Sequence, residues 1–249
     1  MRIKLLWDAP QRPGEVAEEV RRRANSEVWA RFSQNFVPEY AQGADAPDIQ
    51  VVREVAQAAL EHCQRLLPRP GELDIILLPE ETQTPPSDFV RGPMGGVLGL
   101  TPGAGLSLLR VANVPGWPQA LTDALAHEYH HAAWVALRPE IDRAADLPLA
   151  EYLAFEGRAC AFARLLQPGY QAPWTLPLPE LEQREWLEKV AVGLREGVNP
   201  LVTGDAPMWA VYRLGTALVD AFLVRHPALS VGEWTRLDGR DVLEGSGLL

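Results

Sequence analysis

The residues with the clearest chemical promise are His127, Glu128 and His131, within the run Ala126-His127-Glu128-Tyr129-His130-His131. Three of the chain's five histidines fall in that run. On an α-helix, side chains four residues apart lie one above the other, so the outer two imidazoles converge on one point, as a tetrahedral zinc site requires. Glu128 lies about 100° further around such a helix and reaches past the metal toward a water bound there. Zinc lowers the pKa of that water toward about 7, and a carboxylate beside it can take the proton as the oxygen attacks a carbonyl. Glu128 can then hand the proton to a leaving amine. Chance alone, at this composition, gives the HExxH spacing on the order of 0.01 times per chain of this length, so the match is informative.

The local context agrees with a buried metal helix. In ALTDALAHEYHHAAWVAL the motif is embedded among Leu121, Ala124, Leu125, Ala132, Trp134 and Val135, with no Pro or Gly between Gln119 and Arg138. Polar side chains on such an apolar helix need partners, and a metal supplies them. His130 faces away from the two ligands and reads as a supporting polar histidine rather than a ligand. Asp123, one turn before His127, is placed either to accept that imidazole's free N–H or to sit in solvent.

No third histidine follows at HExxHxxGxxH spacing, which excludes a three-histidine site and points to a glutamate. The run LAEYLAFEGRACAFARLL offers Glu151 and Glu156, about 140° apart on a helix, so one of them faces the metal. Glu156 is favoured because Gly157, Ala159 and Cys160 beside it permit close helix packing. Glu151 stands nearer the helix start, where the dipole alone favours a carboxylate.

These residues need elements to hold them. Ile3, Leu5 and Trp7 alternate as in a short strand, and a helix is expected over 15–40, with Arg21, Arg22 and Arg23 as its wet face. A second helix follows over 49–67, then a buried strand over 73–79 between Gly71 and Pro79. The stretch 80–105 is rich in Pro, Gly, Thr and Ser and reads as loop and hairpin, with a short strand at 97–100. Another strand is expected over 106–114, and helices over 118–137, 147–167, 178–196 and 206–226. Strands and helices first, helices afterwards, is an α+β plan.

Composition limits the partners. The 249 residues are 47% hydrophobic and 22% charged, with a net charge of −10. Neither a nucleic acid nor an anionic membrane would attract such a chain. The apolar stretch around Leu5 is too short for a signal peptide, and no run approaches a membrane span, so a cytoplasmic protein is expected. Cys63 and Cys160, far apart in sequence, read as reduced core residues.

HEYHH followed by EGRA resembles the gluzincin arrangement, HExxH plus a later glutamate, as in the aminopeptidase branch of that clan. The Gly-rich loop, strand, AHEYHH, LAEYLAFEGRA and YRLGTALVDAFLVRHPALSVGEWTRLD together are similar to a bacterial family of predicted zinc-dependent proteases, otherwise a domain of unknown function, over roughly 70–245. The first 70 residues match weakly. The resemblance implies a zincin-like fold, with a small N-terminal strand layer, an active-site helix and a mainly helical C-terminal half. Residues 1–70 would pack on a zincin-like part over 71–249, in one continuous domain. It also implies that 106–114 is the edge strand that pairs with an extended substrate, and that the glycine-rich loop before it, GPMGGVLGLTPGAG, shapes the cleft. Tyr212 is the position that would steady the oxyanion, with His226 as second choice. Cys160 stands where some gluzincins have an aspartate four residues after the ligand glutamate.

The expectation is therefore a zinc-dependent peptidase with His127, His131 and Glu156 on the metal, Glu128 as general base and Tyr212 at the oxyanion. Its partner would be a peptide or protein substrate. The alternatives are a zinc-stabilised, non-catalytic module that binds a protein in a disused cleft, and a zinc hydrolase of non-peptide amides or esters.

Overall fold

Two short hydrophobic runs, DIILLP and LSLLRV, build the centre of a four-stranded mixed sheet, with RIKL beside the first of them at one edge. In the computed structural model, which describes residues 2–5, 18, 21–22, 46–80, 85–138, 147–202 and 204–249, RIKL is β1 (Arg2–Leu5) and DIILLP is β2 (Asp74–Pro79). They are joined by β3 (Val97–Gly103) and β4 (Leu106–Val111) in the order β1-β2-β4-β3. β1, β2 and β4 run parallel, and β3 runs antiparallel to β4. Every residue of β2 and β4 is buried, as expected of parallel strands covered on both faces.

The helix expected over 15–40 falls almost wholly outside the described residues. The next, α1 (Ile49–Leu66), begins at Asp48, whose carboxylate accepts from the backbone N–H of Gln50 at 2.8 Å and so caps the first turn. A short helix that the composition of 80–105 hid, α2 (Pro85–Arg91), precedes β3. The C-terminal half is helical, with α3 (Trp117–Leu137), α4 (Leu149–Leu166), α5 (Glu180–Glu196) and α6 (Ala210–Arg225) within a few residues of expectation. Two further short helices, α7 (Val231–Arg236) and α8 (Gly239–Ser246), close the chain where only a tail was expected. The α+β expectation holds.

The sheet order corrects the expectation about the cleft. The strand at 106–111 is interior, hydrogen-bonded to β2 on one side and β3 on the other, so it has no open edge. Among the described residues the edge strands are β1 and β3, and the open edge beyond β4 is β3, in a stretch expected to be mostly cleft-shaping loop. Its Pro102 lacks a backbone N–H, which an edge strand tolerates and a central one does not, and the ladder with β4 is irregular between Leu100 and Gly103.

One hydrophobic core runs from Val52 on α1 through the sheet to Leu243 on α8, and α3 passes through it with nearly every residue from Ala120 to Trp134 buried. A helix apolar all round is stable only in such surroundings. α4 packs against both α3 and α6. The contact with α6 is very close: a Cβ on Gly157 would collide with the main-chain carbonyl of Gly215, and one on Gly215 with that of Leu153. Two facing glycines let the helix carrying Glu156 sit deep beside α3.

Candidate metal centre

The spacing of His127 and His131 does place both imidazoles on one face of α3, their ring centroids 4.5 Å apart. α4 brings Glu156 to that face. Its Oε2 lies 3.2 Å from His127 Nε2 and 3.3 Å from His131 Nε2, and all three side chains are buried. The three donor atoms lie within 4.8 Å of one another, a group that could hold a metal ion. Two imidazole nitrogens and one carboxylate oxygen are the donor set zinc takes in catalytic sites with one position left open. Burial raises the Glu156 carboxyl, but the imidazoles, His131 foremost, outweigh it and hold the group down at about 2, in the ionised form a ligand needs.

Glu151, the alternative ligand, is elsewhere. Its Oε1 accepts from Arg138 at 3.2 Å and from the backbone N–H of Gly239 at 2.5 Å, tying α4 to the first turn of α8. Glu156 is the glutamate the packing selects.

Glu128 projects toward β3 rather than into the histidine pair. An atom at the Cβ position of Gly99 would stand 2.6 Å from both Cγ and Oε1 of Glu128, so this carboxylate fits under the edge strand only because residue 99 has no side chain. Thr101, two residues on, donates to the main-chain carbonyl of Glu128 at 3.1 Å and shares a hydrogen bond with Ser107 at 2.7 Å, tying the helix to the edge strand. Glu128 Oε2 is buried without a hydrogen-bond partner. Burial raises its carboxyl above the ordinary range, with His131 and His127 opposing.

The partner of His127 Nδ1 is not Asp123, as one reading had it, but Cys160, whose Sγ lies 3.7 Å away. Asp123 is buried nearby, its carboxyl raised to about 6 by that burial. Cys160 therefore occupies the place beside His127, and both it and Cys63 are free and buried as expected. His131 Nδ1 has no partner, but its ring stacks on Phe155 at 3.8 Å between centroids.

His130 points away from the cluster and is fully buried, its Nε2 3.3 Å from Thr235 Oγ1 and its ring stacked on Trp234 at 5.4 Å. Burial, then His131, keeps that imidazole neutral well below its usual range. It fastens α7 to α3. His226, second choice for the oxyanion, lies at the end of α6 with Nδ1 2.8 Å from the Phe222 carbonyl oxygen and its ring stacked on Phe222. It caps that helix, away from the cluster.

Tyr212 does reach the site. Its ring centroid is 6.0 Å from that of His127, and it lines the same cavity as His127 and Glu128. Glu156 first, and burial second, push its phenol well above the usual range, so it stays protonated and able to donate. One residue that sequence reasoning missed stands beside it. Trp209, immediately before α6, has φ 66° and is the one non-glycine with positive φ among the described residues. A bulky side chain held in the left-handed region costs of order 1–3 kcal/mol. No local sequence signal marks such a position.

Residues 52–244 match the family model described as Predicted Zn-dependent protease (DUF2268), a longer stretch than the 70–245 over which the motifs alone carried the resemblance. No curated protein and no solved structure matches the chain.

Proposed function

This chain belongs to the family of predicted zinc-dependent proteases, and from that membership we propose that it is a gluzincin-like peptidase whose zinc is held by His127, His131 and Glu156. The observation that carries the proposal is the buried convergence of those three side chains next to the buried carboxylate of Glu128, whose Oε2 has no hydrogen-bond partner. Zinc in such a site polarises a carbonyl and makes water a competent nucleophile near neutral pH.

The roles of the side chains follow from where they sit. Glu128, wedged under Gly99, takes a proton from the attacking water at its carboxylate and returns it to the leaving amine. Tyr212, protonated and across from His127, donates its O–H to the oxygen that gains charge. Cys160 holds the His127 ring by its Nδ1, and the packing of Phe155 holds the His131 ring. β3, with one side unpaired in the sheet order, receives an extended substrate by strand addition in the place first assigned to 106–114. A zincin-like fold and one continuous domain belong to the same reading, supported by a core that α1, the sheet and the helices share. So does a cytoplasmic setting, for which the two buried free thiols speak. No helix among the described residues is long and apolar enough to cross a membrane.

A binding-only module has no use for a buried carboxylate beside the donor set, so Glu128 weighs toward catalysis. Treatment with a chelator is expected to abolish hydrolysis of an unstructured protein such as casein, and added zinc to restore it. Hydrolysis that persists after complete removal of metal contradicts the zinc peptidase.

Gly99→Ala tests the wedge. The added methyl group displaces the Glu128 carboxylate while leaving the donor cluster alone, and kcat is expected to fall about 100-fold, the scale of a one-ångström misplacement. Zinc content should be unchanged. Wild-type kcat in this variant would mean that Glu128 works from another position.

A further inference from the structure

A cavity of about 110 Å³ opens beside Glu128, bounded by β3, α2, the start of α6 and the segment around Trp174. Sites for whole small molecules occupy about 300–1,000 Å³, so this one has room for a single side chain. Apart from His127, Glu128 and Tyr212 at one end, its walls are apolar: Phe89, Met94, Leu98, Trp174 and Trp209 among them. Lysine and arginine are absent from the lining, so an acidic occupant would find no cation there, and the one carboxylate, Glu128, stands at the end shared with the metal centre while the rest of the wall is apolar.

The walls are also built. Met94 and Trp174, 7% and 4% exposed, belong to a small apolar cluster of their own, against which Leu98, Trp209 and Tyr212 pack. The Trp209 ring sits 5.5 Å from Phe89 and 5.8 Å from Tyr212 between centroids. Phe89 is 38% exposed, an open aromatic face at this wall. Trp209 reaches its place through a left-handed backbone that glycine would adopt without strain. Strain of that kind survives where the side chain it positions has a task.

We propose that this cavity is the subsite for a large, uncharged apolar side chain of the substrate, phenylalanine or leucine in class, and that Trp209 determines the preference. The inference rests on the peptidase reading for its setting, because the cavity shares Glu128 and His127 with the metal centre. The side chain that enters it then fixes which peptide bond lies beside Glu128. Trp209→Gly is the clean variant, since it removes the ring and relieves the backbone at once.

Two measurements test this. Ligand-observed NMR with zinc-loaded Glu128→Gln protein would compare N-acetyl amides of phenylalanine, leucine, alanine and aspartate. The first two are expected to bind at least about ten-fold more tightly than the others. Adding Trp209→Gly should erase most of that difference without lowering Tm. Met94→Trp, which fills the cavity from another wall, should erase it independently. Equal binding of all four amides, or a preference untouched by both substitutions, overturns the proposal. Separately, a mixed peptide library digested by the wild type should be cut with phenylalanine, leucine or methionine at one fixed position. Cleavage with no such preference rejects the subsite and leaves the peptidase. Amide selectivity without any cleavage keeps the pocket and rejects the peptidase.

Discussion

Glu128→Gln is expected to remove hydrolysis while leaving the zinc in place. The substitution keeps the size of the side chain and its fit under Gly99, where the space allows nothing larger. It removes only the capacity to take and return a proton, which in enzymes is worth about 10²–10⁴-fold in rate. kcat should fall by that factor with KM changed little, because Glu128 is outside the donor cluster of His127, His131 and Glu156. Tm should not drop, since the wild-type carboxylate is buried with one oxygen unpartnered and the amide carries no charge to bury. Loss of zinc in this variant would make Glu128 a ligand and overturn the division of roles.

Glu156→Ala is expected to abolish both zinc retention and activity. Glu156 Oε2 lies within 3.3 Å of both imidazoles, and without it the site keeps two donors. Side chains that merely support a metal ligand cost about 10–100-fold in affinity when removed, so a direct ligand should exceed that. The consequence can be read thermally. Zinc at 100 times its Kd adds about 2.7 kcal/mol to the folded state, which for a chain of this size raises Tm by roughly 5–10 °C. Scanning calorimetry with and without zinc should show that rise in the wild type and no rise in Glu156→Ala. A rise of equal size in both would remove Glu156 from the site. Its helix should form in either case, because the contact of Gly157 with Gly215 does not involve the carboxylate.

The candidate donor set was legible in the sequence because the signal for each part of it is local. HExxH on an uninterrupted apolar run fixes two imidazoles and a carboxylate by helical geometry alone. Glu156 could be preferred over Glu151 from the small residues next to it, and one of these, Gly157, is where α4 closes on α6. His130 was set apart by the same angular argument, and Thr235 and Trp234 account for it.

What the sequence hid is what depends on distant partners. Which strand has the open edge is a property of sheet order, and the hydrophobic run at 106–111 looked the better strand because it is buried on both sides. β3 is diluted by Gly99, Pro102 and Gly103, the residues that suit an edge near a catalytic side chain and disguise a strand as a loop. Pro102 was the available signal. Asp123 was considered as the His127 partner because it is one turn away, whereas Cys160 comes from another helix, four residues beyond Glu156. Trp209 had no signal at all: it combines a left-handed backbone with a ring set against Phe89 and Tyr212, both from outside its immediate neighbours in sequence. The short helices α2, α7 and α8 span 7, 6 and 8 residues, below the length at which hydrophobic periodicity is readable.

The central claim is that one zinc ion binds where His127, His131 and Glu156 meet, and metal analysis by mass spectrometry tests it most directly. Purified wild-type protein and Glu151→Ala should each hold about one zinc per chain, one ion for one donor cluster, and Glu156→Ala should hold almost none. Absence of zinc from the wild type even after the metal is added, or its loss from Glu151→Ala rather than Glu156→Ala, would contradict the account.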